Sequence, residues 1–74
     1  MKLVNLHLRE YARVDGSMAQ TFASPEWDME LRADLGGVII SRKNRENAEK
    51  RDTLWIPMAN VRNGTPAEVP TRGK

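Results

Sequence analysis

Few side chains in this sequence could do chemistry, and they are unevenly spread. One histidine, His7, lies in "KLVNLHLREY", and the chain has no cysteine. A lone imidazole without thiolates or carboxylates at ligand spacing builds no zinc site. Asp28, Glu30 and Asp34 fall on one face of an alternating run, about 7 Å apart for each two-residue step. Paired carboxylates do acid–base work only in a pocket that raises one pKa, and so short a chain forms no deep pocket. They are expected to make a solvated acidic face. The glycines of "DLGG" precede a β-branched run rather than a helix, which fits a hairpin turn and not a phosphate loop. Ser17, Ser24 and Ser41 sit in no nucleophile motif. The sequence therefore predicts no enzyme, no cofactor and no metal site.

The remaining feature is basic. Arg42, Lys43, Arg45, Lys50 and Arg51 fall within ten residues, offset by Glu46 and Glu49, for a local net of +3. Charge of this kind can grip phosphates without reading bases. Single-strand binders usually add aromatic stacking platforms, and this chain has only Tyr11, Phe22, Trp27 and Trp55. The imbalance extends further: residues 1–41 carry a net −2 and residues 42–74 a net +4. Such asymmetry marks an interaction surface.

These groups need a scaffold, and 74 residues allow one domain. A chain this small buries only about 60% of its unfolded surface. The longest apolar run is "VII", far from the roughly 20 residues a membrane helix needs, and no signal-peptide region follows Met1. Together with the absence of cysteine, this predicts a soluble, cytoplasmic protein.

Hydrophobic periodicity is two throughout. In residues 2–9, Val4, Leu6 and Leu8 fall on one face and Leu3, Asn5, His7 and Arg9 on the other. "DGSMAQTFASP" has the composition of a connecting loop. "EWDMELRADLGGVIISRK" predicts a hairpin over 26–43, with Trp27, Met29, Leu31 and Ala33 inward and the two glycines supplying the positive φ of the turn. "NRENAEKRD" reads as a flexible loop with at most one helical turn, "TLWIPM" as a strand closed by Pro57, and "ANV" as a turn. "RNGTPAEVPTRGK" reads as a flexible tail. The fold class is then mainly β: a small antiparallel sheet or open barrel of three to four strands, with at most a short helix, forming one domain over 1–62 with a tail over 63–74. The expected core is Val4, Leu6, Leu8, Trp27, Met29, Leu31, Val38, Ile40, Leu54, Ile56 and Val61.

"RDTLWIPMANVRNG" resembles the last strand of many small phage-encoded early accessory proteins. In size and pattern the chain is similar, within that class, to a Xanthomonas phage protein that binds the host RNA polymerase. The resemblance implies a protein that inhibits transcription initiation and suppresses termination, located in the cytoplasm of a bacterial host. It transfers no binding residues.

The residues themselves point to two docking surfaces. One is the first strand as an exposed sheet edge, offering Leu3, Asn5, His7 and Arg9. The other pairs the acidic face, Asp28 and Glu30, with the basic loop, Arg42, Lys43, Arg45 and Arg51, to engage opposite charges on a partner. The expectation is a non-catalytic, protein-binding regulator, a monomer or weak dimer, docking on a large host complex such as RNA polymerase. The alternative is a small β-barrel that binds single-stranded nucleic acid.

Overall fold

The computed structural model describes residues 1–67. Six strands form one antiparallel sheet: β1 (Lys2–Val14), β2 (Ser17–Ala23), β3 (Asp28–Arg32), β4 (Gly37–Lys43), β5 (Arg51–Pro57) and β6 (Val61–Pro66). The only helical pieces among the described residues are single 3₁₀ turns, Ala33–Leu35 and Met58–Asn60. The fold is mainly β and antiparallel, as the periodicity predicts, but it has six strands where three to four were expected.

Both extra strands come from segments whose composition reads as loop or tail. Asp15 and Gly16 take φ of 51° and 81°. That is the backbone of a two-residue hairpin turn, whose twist matches that of the strands it joins. The chain therefore reverses at once, and Ser17–Ala23 returns along β1 with Phe22 buried opposite Leu6. β6 holds a glycine and a proline, which an edge strand tolerates because one side of its backbone needs no ladder partner. Residues 63–66, placed in the tail by the sequence reading, belong to this strand. The rest of that expected tail, 68–74, lies outside the described residues.

β1 is the hub. Leu3 pairs with both Met29 and Pro66, and His7 with both Thr21 and Asn63. So β2 and β3 share one edge of β1 and β6 takes the other. From β3 the sheet continues as a meander through β4 and β5, in the order β1-β3-β4-β5. The sheet is open, since no ladder joins β5 to β6 among the described residues.

The core lies on one side of this sheet. Leu3, Leu6, Leu8, Val14, Phe22, Trp27, Met29, Val38, Ile40 and Ile56 are buried. Leu31, Leu54 and Val61 are partly buried and pack against them. Val4, expected in the core, is only half-buried, and Leu3, expected outside, is buried. The cause is a register shift between Leu3 and Asn5 in the β1–β6 ladder. An irregular step breaks strict alternation and turns Leu3 to the same side as Leu6.

The expected hairpin over 26–43 is present, with a different turn. Gly36 has φ 75° and ends the 3₁₀ turn. Gly37 does not have positive φ. It is glycine for lack of space: a Cβ there would run into the Ile56 carbonyl and lie 2.7 Å from the Trp55 ring.

Candidate functional site

Strand alternation sorts the candidate residues onto two faces. In β4, Val38, Ile40 and Arg42 point inward and are buried, so Gly37, Ile39, Ser41 and Lys43 belong to the outer face. In β5, Asp52, Leu54 and Ile56 point inward, so Arg51, Thr53 and Trp55 point outward. In β3, Met29 is inward and Asp28, Glu30 and Arg32 are outward.

Arg42 is the one buried charged side chain among the described residues, 8% exposed. Its guanidinium lies 4.6 Å from the centre of the Trp27 ring, and Trp27 meets Phe22 edge-to-face at 5.1 Å. Arg42 also bonds two carboxylates, Glu26 at 2.6 Å and Asp52 at 3.1 Å. Burial works against its charge, but the bonds from Asp52 and Glu26 outweigh that and raise its pKa. Hydrogen bonds from Arg45 and Arg42 hold Glu26 below the usual carboxylate range. Bonds from Asn44 and Arg42 do the same for Asp52. Arg42 is therefore a structural pin and not the surface contact the sequence predicted. The signal was present: positions 38, 40 and 42 alternate inward together.

The loop over 44–50 is organised by Asn44. Its side-chain oxygen accepts the backbone N–H groups of Glu46 and Asn47, at 2.8 and 2.9 Å. Its amide nitrogen donates to Asp52, and its own N–H donates to the Lys50 carbonyl. An Asx turn of this kind replaces the helical turn that the sequence allowed. Arg45 reaches back to Glu26 at 3.0 Å.

The structure gathers part of the predicted set. Asp28, Arg42, Lys43, Arg45 and Arg51 line one shallow groove of about 430 Å³, with Ser41 and Pro25. Glu30 lies on the same outer face as Asp28. The structure does not bring Leu3, Asn5, His7 and Arg9 together as an exposed edge. Both edges of β1 are occupied by neighbouring strands, Leu3 is core, and the Asn5 side-chain oxygen is buried with no hydrogen-bond partner. His7 is half-buried between β2 and β6, and only Arg9 is exposed. That predicted edge is corrected: the β6 segment, read as tail, covers it.

Each carboxylate of the acidic column has a cation within 4 Å. Lys2 Nζ lies 2.9 Å from Asp28, the N-terminal amine 3.9 Å from Glu30, and Arg32 2.8 Å from Asp34. The Lys2 bond lowers the Asp28 pKa, and the Arg32 bond lowers that of Asp34. By contrast Lys43 and Arg51, directly opposite each other on β4 and β5, have no ion-pair partner among the described residues. Arg51 donates only to the Ser41 hydroxyl, at 2.8 Å.

Trp55 is the residue the sequence reading did not place. It is 46% exposed, pairs with Ile39 across the strands, and covers Gly37 with its six-membered ring. The alternation of "RDTLWIP" marks it, since Leu54 and Ile56 take the inward positions. No group of three or more histidine, aspartate or glutamate side chains could hold a metal ion among the described residues. Among the described residues, no helix is long and apolar enough to cross a membrane.

No family model, curated protein or solved structure matches this chain.

Proposed function

We propose that this chain is a non-catalytic binding protein that docks on a larger protein through the outer face of β3–β4–β5. The observation that carries the reading is Trp55. A tryptophan left half in water on a regular strand, beside Ile39, with Glu30 in the same row and Asp28, Lys43 and Arg51 further along the same face, has the composition of an interface centre with charges at its margin. Tryptophan and arginine dominate the energetics of such centres, while the rim contributes register and rate. A standard interface takes about 800 Å² from each partner, a modest share of the 5272 Å² this chain exposes.

The resemblance to phage early proteins makes the host RNA polymerase the first partner to try, with inhibition of initiation and suppression of termination as the expected effects. Binding of immobilised bacterial core RNA polymerase would test it. Trp55→Ala is expected to weaken binding tenfold or more, while Arg9→Ala leaves it unchanged. Equal binding by the two variants would remove the outer face from the account. No binding by the wild-type chain would remove the polymerase.

The second reading, single-stranded nucleic acid, rests on Lys43 and Arg51 lying on the same face as one exposed aromatic. It predicts oligonucleotide affinity that falls steeply with salt.

A further inference from the structure

We infer that the partner segment received by this face is acidic at one end and aliphatic at the other, and lies extended along β5. This rests on the docking reading above and goes further by naming the chemistry of the partner.

Three observations converge. First, the available charge of the face is positive. Asp28 is bonded within the molecule by Lys2, and Glu30 lies opposite Ile39, away from the cationic pair. Second, Lys43 and Arg51 are like charges directly opposite each other in an antiparallel ladder. That arrangement destabilises a sheet, and neither cation has an ion-pair partner among the described residues. Asp28, which lines the same groove, is bonded to Lys2 and acts on Arg51 only at a distance. Glu26 and Asp52, the nearest acidic groups on the inward side, are held by Arg42, Arg45 and Asn44. An incoming carboxylate between Lys43 and Arg51 would remove the repulsion and make two charge-assisted bonds. Third, the apolar pair Ile39–Trp55 lies four residues along the same strands, on the same face. At the rise of a strand that is about 13 Å, the distance between residues i and i+4 of an extended peptide. The row between them carries Ser41 and Thr53, whose hydroxyls suit a polar residue at i+2.

The same inventory argues against a nucleic-acid strand as the occupant. Stacking along a strand uses successive aromatic platforms, and here the neighbour of the single tryptophan is an isoleucine.

The probe is a capped peptide with two adjacent glutamates and, four residues on from the second, a leucine, added to the isotope-labelled full chain. The acidic peptide is expected to move the amide resonances of Ile39, Ser41, Lys43 and Arg51 and the Trp55 indole resonance in a saturable way. Lys43→Glu with Arg51→Glu, both at exposed positions, is expected to leave the circular dichroism spectrum unchanged and to abolish the shifts. Trp55→Ala is expected to weaken the affinity about tenfold. The inference is overturned if the acidic peptide gives no saturable shift, if a lysine-for-glutamate version binds as well, or if only oligothymidylate moves these resonances. Should the acidic peptide fail while Trp55→Ala still abolishes polymerase binding, the docking face stands and the acidic partner falls. Should both fail, the face falls as well.

Discussion

Arg42 shows how one residue can look like function and act as structure. Its charge is satisfied by Glu26 and Asp52 and its flat face by Trp27. Truncation would leave two carboxylates without their shared cation and a gap beside the Trp27 ring. Arg42→Ala is expected to cost about 2–4 kcal/mol, read as a lowered urea midpoint, a large part of the stability of so small a domain. The same cluster sets an acid limit. Glu26 and Asp52 have folded pKa values depressed below 4.5 and 3.8. Their contribution is complete above those values and is lost as pH falls through the lower, folded ones. Stability followed by thermal melts should therefore decline below about pH 4, and the decline should be shallower in Arg42→Ala. At Gly37 the constraint is steric. Gly37→Ala must displace Trp55 or the Ile56 carbonyl. It is expected to cost about 1–3 kcal/mol and to shift the Trp55 indole resonance, whereas a fold indifferent to this contact would show neither.

At the scale of elements, what the sequence made legible depended on whether alternation was uninterrupted. β3, β4 and β5 alternate cleanly, so Asp28 and Glu30 were legible as an outer face and Val38, Ile40, Leu54 and Ile56 as inward. Arg51, counted with the loop, and Arg42, counted as surface, were not read by the same rule, although alternation marks both. β1 alternates too, but the register shift after Leu3 is a tertiary event set by pairing with β6, and nothing local announces it. β2 was hidden by composition: Asp15-Gly16 was counted as loop when its backbone makes it the tightest of hairpins. β6 was hidden because an edge strand may carry the residues of a tail. The consequence is testable. A chain ending at Arg62 keeps the domain boundary the composition predicts, yet loses the ladder from Asn63 to Pro66 and uncovers Leu3 and Leu6. It should melt well below the full chain, or fail to fold. A melting temperature equal to that of the full chain would show that β6 contributes nothing.

For the whole molecule, one six-stranded sheet carries one small apolar cluster, and the groove described above is open to solvent. The outer face of β3–β4–β5 carries an exposed tryptophan beside a half-buried isoleucine, with Asp28 and Glu30 on one side and the Lys43–Arg51 pair further along. The docking proposal puts binding on this face and leaves β1 as framework. The most direct measurement is residue-resolved line broadening in the isotope-labelled chain as bacterial core RNA polymerase is added in substoichiometric steps. Ile39, Ser41, Lys43, Arg51 and the Trp55 indole should lose intensity first, while the amides of β1 and β2 persist. Broadening centred on β1 and β2, or none at any ratio, would contradict the account.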